Sequence, residues 1–91
     1  MAVAVLIDLP AVTAEIYDAV IKDMNLGGKV PENAIFHVAG PHEGGWRVVD
    51  VWESREAFDQ FSRDQITPLL QKHGVSGPPN IQMWDVHNVL K

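Results

Sequence analysis

The chain contains no cysteine. It therefore has no disulfide framework, no thiolate metal site and no cysteine nucleophile, which fits a reducing, cytoplasmic setting. Cations are scarce as well. Seven Lys and Arg stand against twelve Asp and Glu, a formal charge of −5. A phosphate-backbone partner needs clustered Lys and Arg, so no nucleic acid is expected. Long apolar runs are also missing. The opening stretch from Met1 to Ile7 lacks a basic flank and is interrupted by Asp8 after one strand length. That is too short for a membrane span, which takes about 20 apolar residues, and it lacks the layout of a signal peptide. It reads as a buried first strand, with no membrane partner.

Catalytic and cofactor motifs are equally sparse. No H-x-H, H-E-x-x-H or cysteine set gathers metal ligands, although His37, His42, Glu43 and His87 are present. Ser62 and Ser76 lack a nucleophile-elbow context. Gly27-Gly28 follows a helix rather than a strand, the wrong side for a phosphate cradle. No cofactor and no metal are expected.

What remains is an ordinary globular composition, 46% hydrophobic and 21% charged over 91 residues, enough for a single domain spanning 1–91. Strand one is predicted over Ala2 to Asp8. A helix then begins near Val12 or Thr13, with Ile16, Val20 and Met24 on its apolar stripe. It ends at Asn25-Leu26-Gly27-Gly28, where glycine is free to adopt the left-handed cap. Ala34 to Ala39 makes strand two, Gly40 to Gly45 turns the chain, and Trp46 to Glu53 makes strand three. Ser54 caps helix two, which puts Phe58 and Phe61 on one face and runs to about Gln65. Thr67 is read as the cap of a new short helix with Pro68 at its first position. Strand four follows over Asn80 to Leu90.

The order β-α-β-β-α-β predicts an α+β, ferredoxin-like protomer: an antiparallel four-stranded sheet with its helices on one face. The strands are apolar on both faces, so the open face is expected to be covered by a second copy, giving a homodimer. Phe58, Phe61, Ile16, Val20 and Leu69 are the expected helix–sheet core.

With Pro41-His42-Glu43-Gly44 as a four-residue hairpin loop, Ala39 faces Trp46, His37 faces Val48 and Ile35 faces Asp50. The period of two then collects Ile35, His37, Ala39, Trp46, Val48, Asp50 and Trp52 on one surface. An imidazole beside a carboxylate can take a proton from a phenol or enol, and indoles can hold a flat ligand. His37 and Asp50 are thus the candidate catalytic pair. Trp46 and Trp52 are candidate substrate-binding aromatics, joined by Phe61 on helix two and Trp84 on strand four. Each also has a structural reading, as core aromatics or a hydrogen-bonded strand histidine. Asp8 and Asp85 are candidates for a polar pocket mouth or for solvated strand ends.

The run Val51-Trp52-Glu53-Ser54-Arg55-Glu56-Ala57-Phe58, followed by Phe61, resembles the antibiotic-biosynthesis-monooxygenase-like branch of the dimeric α/β-barrel superfamily. The resemblance implies a protomer whose sheet joins a partner's to form a barrel, with a pocket between each sheet and its own helices. It also implies a choice among activities: cofactor-free oxidation of aromatic polyketides, haem degradation, lactone and dehalogenation chemistry, with other members having no known reaction. Haem-degrading members carry an Asn late in strand one, a Trp in helix two and a His further on. Here the matching positions hold Asp8, Phe61 and Gln71, with His73 out of register, so haem degradation is not expected. Two functions are left. One is a cofactor-independent enzyme, monooxygenase-like or proton-transferring, on a small aromatic or enolisable metabolite. The other is a dimeric small-molecule-binding or stabilising protein without turnover.

Overall fold

A computed structural model describes residues 1–90. Strand β1 (Val3–Leu9) sits between β3 (Gly45–Trp52) and β4 (Asn80–Asp85), and β2 (Ala34–His42) closes the other edge, giving the antiparallel order β2-β3-β1-β4. Helix α1 (Ala14–Met24) connects β1 to β2. A continuous helical arm connects β3 to β4 and consists of α2 (Arg55–Phe61), a π-helical turn (Ser62–Ile66) and α3 (Thr67–Lys72). This is the ferredoxin-like α+β arrangement.

The alternation in β1 decides which face is covered. Val3, Val5, Ile7 and Leu9 are 0–8% exposed and pack with Val12, Val20, Val48, Trp52, Phe58 and Leu70. Each such aliphatic side chain contributes roughly 1.5–3 kcal/mol when fully removed from water. Phe61, Ile16 and Leu69 pack against this cluster but are only partly buried, and Leu70 rather than Leu69 reaches its centre.

Local chemistry sets the element ends. Thr13 caps α1, its Oγ1 accepting from the Ile16 amide at 3.2 Å, and Ser54 caps α2 through the Ala57 amide at 3.1 Å. Asn25 itself, at φ 56°, closes α1 in the left-handed region, where a short amide side chain is tolerated; the cap falls two residues before the first of the expected glycines, Gly27. The hairpin is tighter than expected. Only Glu43 and Gly44, at φ 48° and 79°, form its loop, and His42 pairs with Gly45. Gly45 is obligatory: a Cβ there would lie 2.7 Å from the Pro10 Cα and 2.8 Å from the Leu9 carbonyl oxygen.

Thr67 does not cap a new helix. It is helical at φ −61°, and its amide bonds the Ser62 carbonyl five residues back. The wide π turn carries the helix past Pro68, which has no amide to offer. Strand β4 stops at Asp85, six residues long, although the Val86 amide still bonds the Ala2 carbonyl. No helix among the described residues is long and apolar enough to cross a membrane.

Two carboxylates tie elements together through ion pairs. Arg47 forks onto Asp8, directly opposite it in the β1–β3 ladder, at 2.7 and 2.9 Å. The guanidinium holds the Asp8 carboxyl below the usual carboxylate range. Asp23 accepts from His73 at 2.7 Å and Lys72 at 3.1 Å, joining the C-terminal ends of α1 and α3, and those bonds lower its pKa. His73 is thus held by a carboxylate as well as by its helix end.

Candidate functional site

The tight turn moves the register by two residues from the four-residue expectation. His37 stands opposite Asp50, Ala39 opposite Val48 and Pro41 opposite Trp46. A shift of two preserves faces, so His37, Ala39, Trp46, Val48, Asp50 and Trp52 still share the helix-covered side. Ile35 does not join them: a bulge between Ala34 and Phe36 leaves it without a ladder partner.

Asp50 is 5% exposed, and a buried carboxylate must be compensated. One oxygen accepts from the Trp52 indole Nε1 at 3.1 Å, and the other lies 2.6 Å from His37 Nδ1. On the far side of the imidazole, Nε2 lies 2.5 Å from the Tyr17 hydroxyl of α1. The donor directions follow from the carboxylate. In the neutral imidazole, Nδ1–H donates to the carboxylate and the lone pair on Nε2 accepts from the Tyr17 O–H. Burial, followed by the charges of Asp50 and Asp18, raises the Tyr17 pKa above that of an ordinary phenol, so it keeps its proton at neutral pH. The result is a directed run: Trp52 and His37 donate to Asp50, and Tyr17 donates to His37.

This run lines a cavity of about 270 Å³ between the sheet and its helices. The remaining wall is apolar, built mainly from Ile7 and Leu9 of β1, Val20 and Met24 of α1, Phe61 and Leu70, with Lys29 among the lining residues. Among the described residues no group of three His, Cys, Asp or Glu side chains is gathered to hold a metal ion.

The structure brings four of the six sequence-predicted residues to this cavity: His37, Asp50, Trp52 and Phe61. Trp52 is also core, with its ring edge-on to Phe58 at 5.8 Å and tilted on Phe61 at 5.0 Å. Trp46 lies outside the cavity lining. It packs on the Tyr17 ring at 5.1 Å, and its Nε1 is buried without a partner. Trp84 is on the opposite face of the sheet, paired with Ala4 and 50% exposed, while its neighbour Met83 packs toward the helices. Asp8 likewise belongs to the outer face, bound by Arg47, and does not edge the cavity.

Tyr17 was not singled out in the sequence. Its signal was the i, i+3, i+4, i+7 spacing of Tyr17, Val20, Ile21 and Met24, all of which line the cavity. The competing stripe through Ile16 shares two of those residues and hides it.

No protein-family model matches the chain, and no curated protein does. Solved structures do match. A provisionally assigned antibiotic biosynthesis monooxygenase from Deinococcus radiodurans has a TM-score of 0.63 over 100% of this chain and 97% of its own, at 10% identity. SnoaB, a cofactor-independent oxygenase from Streptomyces nogalater solved as a point mutant, has a TM-score of 0.58 over 98% of this chain and 94% of its own, at 11% identity. MhuD, solved as a point mutant with two manganese protoporphyrin IX molecules per active site, has a TM-score of 0.54 over 100% and 99%, at 18% identity. Identities this low speak for the fold alone. The chain has the fold of the antibiotic-biosynthesis-monooxygenase-like proteins, the branch that Val51 to Phe61 resembles.

Proposed function

We propose that this chain forms a homodimeric α/β barrel, holds a small aromatic or enolisable molecule in the cavity between sheet and helices, and removes a proton from it with His37. The observation that carries this reading is the run of hydrogen bonds from Trp52 through Asp50 to His37. A buried carboxylate fixes the imidazole tautomer and stabilises the imidazolium that proton transfer would create. Loss of that proton leaves an electron-rich phenolate or enolate, the form that reacts with dioxygen without a cofactor. Cofactor-independent oxygenation is the activity named for SnoaB. A porphyrin ligand is less well supported. Asp8 is committed to Arg47 on the outer sheet face, and His73 is committed to Asp23.

Bicyclic phenols and enolisable ketones incubated with the purified protein test this reading through oxygen uptake and product analysis. Substrate consumption is expected. A ligand retained unchanged, with no uptake, would make the protein a binding dimer instead.

The dimer rests on the outer sheet face. Phe36, Val38 and Trp84 are 44, 49 and 50% exposed there, on the same side as Leu6, Val49 and Val51. Such a contiguous apolar surface calls for a cover, and a second copy of the same sheet supplies a self-complementary one. Light scattering over a dilution series should report a dimer, and Val38→Lys should shift it toward monomer. A stable wild-type monomer with native circular dichroism would remove the barrel.

A further inference from the structure

We propose that Tyr17, rather than His37, is the residue that meets the ligand: it accepts a hydrogen bond from a neutral, weakly acidic O–H on an apolar bicyclic body and relays that proton to His37. The proposal rests on the cavity being the ligand site, and its test separates the two ideas.

The argument is one of committed donors. Trp52 Nε1–H and His37 Nδ1–H both point at Asp50, and the Tyr17 O–H points at His37 Nε2. The lone pair of Nε2 is taken by that hydroxyl, so an occupant meets the imidazole through Tyr17. With its own proton committed, the Tyr17 oxygen offers lone pairs to the cavity it lines. The polar patch is therefore an acceptor, backed by the negative charge of Asp50. A ligand with an O–H satisfies it, whereas a carboxylate brings no donor and faces a like charge. Lys29 is the cation among the lining residues, but it is exposed, stands in the loop after α1 and is not hydrogen-bonded to this run.

Size narrows the body of the ligand. An engineered apolar cavity of about 150 Å³ holds benzene. At about 270 Å³ this cavity is somewhat less than twice that, which suits two fused rings.

The relay balances. The ligand O–H bond breaks as a new O–H bond forms on Tyr17, while the original Tyr17 proton passes to His37 Nε2. Tyr17 ends neutral, the ligand is an anion, and the imidazolium is paired with Asp50.

Three probes of one shape test the idea by calorimetry: 2-naphthol, 2-methoxynaphthalene and 2-naphthoate. Wild type should bind 2-naphthol about five- to ten-fold more tightly than the methyl ether, the value of one net hydrogen bond, with naphthoate weakest. His37→Leu removes the Nε2 lone pair and keeps the Tyr17 oxygen, so the preference for naphthol over the ether should persist in it. A preference lost in natively folded His37→Leu protein would assign the contact to His37 and overturn the proposal, as would naphthoate binding best. Equal binding of naphthol and ether overturns it while leaving the cavity reading intact. If neither binds to natively folded protein, both ideas fall. The chain has one tyrosine, so fluorotyrosine labels Tyr17 alone and gives a readout independent of the variant. Its fluorine resonance should follow the naphthol titration with the same Kd. A resonance that stays fixed while naphthol binds would place the ligand elsewhere and overturn the proposal.

Discussion

Replacing Phe58 with alanine is expected to lower the free energy of unfolding by roughly 3–5 kcal/mol, the usual range for emptying a fully buried aromatic site. Phe58 is 1% exposed, and its ring meets the edge of Trp52, which is equally buried. The loss combines transfer of the ring to water with the cavity left beside a rigid indole that cannot collapse into it. Small domains are stable by about 5–15 kcal/mol, so this one change takes a large share. Urea unfolding of wild type and variant at one protein concentration checks it, since an oligomer's stability depends on concentration. A loss below about 1 kcal/mol would mean that the α2 face does not pack as described.

The α2 face was readable because three signals agreed over seven residues. Trp52 ends a β-branched strand, Ser54 caps, and Phe58 falls one turn inside the cap. β1 was readable for a similar reason, its alternation leaving one face to bury. The hairpin was not. Gly40 and Pro41 look like turn residues, yet both lie in β2. β2 is an edge strand, where a missing amide hydrogen can face solvent without breaking the ladder, so Pro41 is tolerated. Pro68 misled in the same manner. Its sequence reads as a helix boundary, and only the π turn before it shows how the helix continues.

Those errors had unequal consequences for the site. A register error of two residues exchanges partners but not faces, so His37 and Asp50 remained together and came closer, from diagonal to directly paired. The bulge at Ile35 could not be read, because nothing in Ala34-Ile35-Phe36 marks it. Tyr17 escaped for a different reason. It reaches His37 from another element, twenty residues away in sequence, and helix rotation decides whether Ile16 or Tyr17 points at the sheet. A rotation of one residue cannot be fixed by periodicity when both stripes pass through Val20 and Met24. Trp84 shows the converse. Its strand was expected, but only the β1–β4 register assigns it to the outer face.

For any weak acid that the protein turns over, His37→Ala and His37→Gln are both expected to lower kcat/KM by about 10²–10⁴, the usual contribution of a positioned base. The two variants differ in what they do to Asp50. Alanine removes a donor from a carboxylate that is 5% exposed, which costs about 1–3 kcal/mol of stability or more. Glutamine can offer its amide N–H to Asp50 and its carbonyl to the Tyr17 hydroxyl, so the buried groups stay satisfied. It cannot take up the proton. A base therefore predicts two folded or near-folded proteins, both inactive, with His37→Gln close to wild type in unfolding free energy. A purely structural histidine predicts that turnover follows stability, low in His37→Ala and largely retained in His37→Gln. An active His37→Gln protein would end the case for proton transfer through this imidazole, whichever of Tyr17 or His37 touches the ligand.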